Sequence, residues 1–137
     1  MSEQTKAEAD VREALMAMMA AYNTGDVDAF LNYYHPAVTG FFAHGRVLEE
    51  GLSRAGMQAL YDAGFKPTLQ ARQLAVKVYG DAALVTLYVC GNIRWPDGRV
   101  ESGTWRQSQM LVKQDGAWKC VHYHISLLTA EYSISKP

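Results

Sequence analysis

The chain is poor in cysteine: Cys90 and Cys120 are the only two among 137 residues. They make no C-x-x-C spacing, which excludes a disulfide-stapled scaffold. Both lie in apolar, strand-like runs where a reduced, buried thiol is the ordinary state, and this suits a cytoplasmic location. An excess of either charge is missing too. Thirteen basic and fourteen acidic residues nearly cancel without clustering, so the electrostatic footprint of a nucleic-acid partner is absent. No apolar stretch approaches the roughly 18–20 residues that span a bilayer, and the polar first ten residues hold no signal core, so no membrane partner is expected. Gly-rich phosphate loops, internal repeats, low-complexity segments and interdomain linkers are also lacking. With four histidines in all and no recognisable ligand set, neither a metal nor a cofactor is expected.

What the chain does have is apolar residues, 49% of the total, enough to build one core but too few residues for two ordinary domains. A single domain over residues 1–137 is expected, with 131–137 a frayed tail. Helices come first. Thr5-Lys6-Ala7-Glu8 has the form of a capping box, and Val11, Leu15, Met18 and Tyr22 follow as one apolar stripe that Thr24-Gly25 ends. Asp26 caps a second helix whose Val27, Phe30, Leu31 and Tyr34 share a face, and His35-Pro36 stops it. A short β piece (Val38 to Ala43), a tight Gly45-Arg46 region and a second piece at Val47 to Glu49 lead to Ser53. That serine caps a third helix carrying Met57, Leu60 and Tyr61, closed by Gly64.

From Pro67 onward the period changes to two. Thr68 to Tyr79, Ala82 to Trp95, Arg99 to Lys113 and Ala117 to Thr129 are β-rich runs separated by Gly80-Asp81, Pro96-Asp97-Gly98 and Asp115-Gly116, which are strong signals for antiparallel hairpins. The apolar face of so long a sheet needs cover, and the helices are the cover available. The predicted fold is α+β: three N-terminal helices packed in a strongly curved antiparallel sheet, a cone whose wide end leaves a pocket.

Four stretches carry a family likeness: Asn23-Thr24-Gly25-Asp26, Phe41 with Val47-Leu48-Glu49-Glu50-Gly51-Leu52, Gly80-Asp81-Ala82-Ala83, and the run from Asp115 through Trp118, His122 and His124 to Ser126. From Tyr22 to Ser126 the chain resembles the nuclear transport factor 2-like, or SnoaL-like, superfamily. Within it the chain is most similar to the association (hub) domain of calcium/calmodulin-dependent kinase II and its bacterial relatives. The resemblance implies a cystatin-like roll. It also implies that Val89, Gln109 and Ile125 stand where the hub places pocket arginines, so that the hub's anion pocket is lost. The tyrosine and aspartate of the ketosteroid isomerase branch fall at Met18 and Phe42, which leaves that mechanism without its groups.

If Val89, Gln109 and Ile125 face inward, strand alternation sends Leu87, Gly91, Ile93, Trp105, Gln107, Val121 and Tyr123 with them. That wall is largely apolar with a few polar groups, the usual make-up of a small-ligand pocket. The candidate ligand-binding residues are therefore Tyr34, Tyr61, Val89, Trp105, Gln107, Gln109, Tyr123 and Ile125. The opposite face takes Tyr88, Arg94, Arg106, His122 and His124. Its composition suits a homodimer contact, with Arg94, Arg106, His122 and His124 as the interface candidates. A bulge would invert these parities locally. His122 and His124, about 6.5–7 Å apart on one face with Trp118 and Ser126 in line, are too few for a metal site.

His44, in the turn between the two short β pieces at what would be the pocket mouth, is a candidate general base, a solvated loop histidine being the plainer reading. Arg72 offers either a contact to an acidic substrate or a rim salt bridge. Glu49, Glu50 and Glu101 are the acidic candidates, all near turns where solvation is the default. The function expected is a homodimeric cone domain holding a small, mostly apolar organic molecule. The alternatives are a SnoaL-like dehydratase, isomerase or cyclase using His44 or a pocket tyrosine, and an oligomerisation module like the kinase hub.

Overall fold

The computed structural model of the chain describes residues 2–129, and the tail expected at 131–137 lies outside them. The elements run α1 (Glu3–Thr24), α2 (Val27–Leu31), β1 (Tyr34–Phe41), β2 (Glu49–Glu50), α3 (Arg54–Asp62), β3 (Lys66–Tyr79), β4 (Ala82–Arg94), β5 (Val100–Gln114) and β6 (Ala117–Leu127). One six-stranded sheet has the order β2-β1-β6-β5-β4-β3. All neighbours are antiparallel except β1 and β6, which pair in parallel. None of the helices among the described residues is long and apolar enough to cross a membrane.

Two helix boundaries differ from expectation for local reasons. Ser2 rather than Thr5 caps α1: its hydroxyl accepts from the Thr5 backbone N–H, adding most of a turn to the helix. Gly25, at φ 82°, closes α1 in the left-handed conformation that glycine adopts without strain. Asp26 does cap α2, but α2 ends at Leu31, and Tyr34, His35 and Pro36 belong to β1. Extended backbone is what proline demands of the residue before it, so strand replaces helix there. The His35 ring accepts from the Ala37 N–H instead of terminating a helix. Ser53 caps α3 by accepting from Gly56.

Two bulges interrupt the long strands, besides a register shift between Tyr34 and Thr39 in β1. In β3 the pairing skips between Arg72 and Ala75, with Gln73 at φ 50°. In β6, Met110 faces His122 while Leu111 faces Cys120, so Val121 is the extra residue. The second bulge switches faces along β6. Trp118 (7% exposed) and Cys120 (0%) point inward on one side of it, Tyr123 points inward on the other, and Val121 is only half-buried. Trp118 is therefore not in line with His122, and Val121 does not belong to the inner wall.

The core joins Val11, Leu15 and Met18 of α1 and Phe30 of α2 to the inner face of β3–β6. α1 also ties down the outermost long strand. The Asn23 side chain donates to the Leu69 carbonyl at 2.8 Å and accepts from the Leu69 N–H at 3.0 Å, and Arg12 donates to the Leu74 carbonyl at 3.0 Å.

Candidate functional site

A cavity of about 320 Å³ lies between the helices and the inner face of the sheet. α1 contributes Met18, Met19 and Tyr22, and Phe65 stands just ahead of β3. The sheet contributes Val89, Ile93, Trp105, Gln107, Tyr123 and Ile125. Tyr34 of β1 and Met57 and Leu60 of α3 close the sides. The loop from β1 to α3 supplies Phe42, His44 and Glu49 at the solvent-exposed end. Six of the eight candidate ligand-binding residues thus meet around one space.

Tyr61 and Gln109 stand apart from that wall. The Tyr61 hydroxyl donates to the Tyr22 carbonyl, spanning α3 to α1. Gln109, 1% exposed, sits one layer deeper and is hydrogen-bonded at both ends of its amide: Oε1 accepts from the Tyr33 hydroxyl and Nε2 donates to Gln107 Oε1. Tyr33, not among the candidate ligand-binding residues, lies in the α2–β1 turn and is itself only 4% exposed. Burial raises the pKa of the Tyr22, Tyr33, Tyr34 and Tyr123 phenols above the ordinary tyrosine value and pushes Tyr61 up to about 12, so all keep their protons near neutral pH.

At the open end, His44 Nε2 lies 2.9 Å from one carboxylate oxygen of Glu101 and 3.0 Å from the other. The Trp95 indole N–H donates to the same carboxylate at 3.2 Å, and the His44 ring meets the Trp95 ring edge-on at 5.4 Å. The hydrogen bond from His44 is the chief cause that holds the Glu101 carboxyl below its usual range, which makes Glu101 a fixed anion rather than a base of raised pKa. In the neutral tautomer that donates Nε2–H to Glu101, the lone pair of the His44 ring is on Nδ1. Nothing local announces this pair, because the residues are far apart in the chain.

The outer face of the sheet holds the other candidates. His122 Nδ1 is 2.8 Å from Thr39 Oγ1, and both His122 and His124 pack against Phe41, with ring centroids 6.0 and 5.2 Å away. Arg106 donates to Ser126 at 2.8 Å, and exposed Leu84, Tyr88 and Met110 share this surface. Arg94 lies away from them, at the end of β4. Arg72 is exposed opposite Tyr88, outside the cavity. Among the described residues, no group of three or more His, Cys, Asp or Glu side chains is arranged to hold a metal ion.

The fold has close counterparts. A nuclear transport factor 2-like protein from Cytophaga hutchinsonii superposes with a TM-score of 0.74 at 13% identity, covering 93% of this chain and 100% of that one. The CaMKII hub of S. rosetta does so with 0.70 at 24% identity (88% and 96%). A ketosteroid isomerase-like protein from Erwinia carotovora atroseptica gives 0.72 at 19% identity (94% and 99%). At these identities the likeness establishes the fold. No sequence among the curated proteins matches. The SnoaL-like domain model matches residues 11–130, nearly the whole chain, and the protein belongs to the SnoaL-like domain family.

Proposed function

We propose that this protein binds a small, mostly apolar organic molecule in the helix–sheet cavity and works as a homodimer joined through the outer face of the sheet. The observation that carries the first part is the cavity itself. Its volume of about 320 Å³ lies in the range of small-molecule sites, its walls are Met, Phe, Val, Ile and Trp, and its polar groups are few. The dimer rests on the run of exposed Phe41, Leu84, Tyr88 and Met110 beside Arg106 and the two histidines, a mixture of the kind that interfaces favour. Native mass spectrometry of the purified protein tests both parts. The expected result is a dimer carrying a discrete small-molecule mass that Met57→Trp, which fills the cavity, removes. A monomer with an empty cavity would overturn the proposal, and a ring much larger than a dimer would favour a hub-like assembly instead.

The His44–Glu101 pair favours a second reading, proton transfer at the cavity mouth. An imidazole oriented by a carboxylate, with its free nitrogen beside an apolar cavity, has the parts of a general base. Deuterium exchange at the α-carbon of 2-tetralone, followed by NMR, checks it. Acceleration by the wild type and its loss in His44→Ala are expected; exchange no faster than in buffer sinks this reading.

A further inference from the structure

The chemistry of the molecule in the cavity is constrained by a chain of three side chains behind its wall. Tyr33 is buried, and its hydroxyl hydrogen needs an acceptor; among the described residues it makes one hydrogen bond, to Gln109 Oε1. That contact orients the Gln109 amide, whose Nε2 then donates to Gln107 Oε1. The carbonyl of Gln107 is thereby turned towards Gln109, while its own Nε2 has no hydrogen bond among the described residues and the side chain lines the cavity. Turning both amides round would aim the Gln107 carbonyl at the cavity but strand the Tyr33 hydroxyl hydrogen without an acceptor. The penalty for such a stranded buried donor corresponds to roughly a tenfold or larger bias against that arrangement.

Besides Gln107, two phenols can donate as well, while His44 and Glu49, which can accept, stand at the exposed end. The Tyr22 and Tyr34 phenols line the cavity, remain protonated, and make no side-chain hydrogen bond among the described residues. Among the described residues, no lysine or arginine lines the space, and the one acidic residue there, Glu49, is at the exposed end. An anion would enter without a counter-charge, at a desolvation cost that apolar walls cannot offset.

We infer that Gln107 presents an N–H donor to the cavity, and that the molecule bound there is neutral and carries an oxygen acceptor, as a ketone, lactone or ester does. This deepens the ligand-binding reading and rests on it. Three neutral bicyclic probes of similar size test it by calorimetric or NMR titration of the full chain: 2-tetralone with an acceptor, tetralin with no polar atom, and indole with a donor only. The expected order is 2-tetralone tighter than tetralin by about fivefold to tenfold, with indole no better than tetralin. Gln107→Leu should bring 2-tetralone down to the affinity of tetralin. Tyr33→Phe removes the group that sets the direction of the chain, so the advantage of 2-tetralone should shrink while indole gains. General loosening of the site would weaken all three probes together. If Tyr33→Phe does not fold, the Gln107→Leu comparison decides alone. Equal affinities for 2-tetralone and tetralin in the wild type, or a preference for indole, overturn the inference and leave the cavity reading standing. Failure of all three to bind overturns both.

Discussion

The ring of Tyr123 lies across Gly40, its register partner on β1, so closely that a Cβ at residue 40 would fall inside the ring's van der Waals envelope. Tyr123 is at the same time part of the cavity wall, so this contact fixes the wall against the sheet. Gly40→Ala is expected to cost about 1–3 kcal/mol by overpacking, read as a lower urea midpoint at unchanged slope. Adding Tyr123→Leu should restore part of the loss, because the two effects couple through one contact.

The acid limb of stability should depend on Glu101. Its carboxyl is depressed below the ordinary value of 4.5, so it contributes stability above that pH and loses it as pH falls through the still lower folded-state value. Wild type should therefore lose stability below about pH 4.5 more steeply than Glu101→Gln. The pair is partly solvent-exposed, which keeps the difference modest. Urea unfolding between pH 3 and 7 measures it, and superimposable acid limbs would refute the assignment.

The two cysteines should react very differently. Cys120 is fully buried, and desolvation pushes its thiol up to about 12, whereas Cys90 is half-buried on the outer side. A thiol-disulfide reagent at pH 8 should modify the native protein at Cys90 alone and both residues after denaturation. Native labelling of Cys90→Ser at the wild-type rate would contradict this.

Trp118 carries the one buried side-chain donor without a partner among the described residues, its indole N–H. Replacement by phenylalanine removes that stranded donor along with some packing volume, so the two effects oppose each other. Trp118→Phe is expected within about 1 kcal/mol of wild type, against roughly 3–5 kcal/mol for a buried tryptophan cut to alanine, with thermal unfolding as the measurement.

What could be read from the sequence was whatever the backbone writes locally. Asp115 and Gly116 take the positive φ values (52° and 78°) that a two-residue hairpin turn demands, and the residue types suited to those values marked the β5–β6 turn. Ser53 and Asp26 marked helix starts in the same way. The bulge at Val121 has no such signature, since one inserted residue needs no special side chain; counting by twos from Tyr123 therefore puts Val121 inside, where Cys120 and Trp118 belong. The cavity residues of β4 and β5 followed from alternation because those strands pair without a break. The His44–Glu101 pair and the Tyr33–Gln109 link join residues remote in sequence, and only the closing of the cone brings them together.

The contact of Asn23 with Leu69 has a meaning for the behaviour of this protein in a crowded solution. β3 is the last strand of the sheet and one of the longest, and a strand in that position offers unused backbone groups to any extended chain that drifts past. The carboxamide of Asn23 takes one N–H and one C=O of that strand together, as a neighbouring strand would. A stranger attempting to add itself to the sheet at Leu69 finds the place already taken by the protein's own first helix. Asn23→Ala would vacate it, and the sheet would gain a point from which to grow.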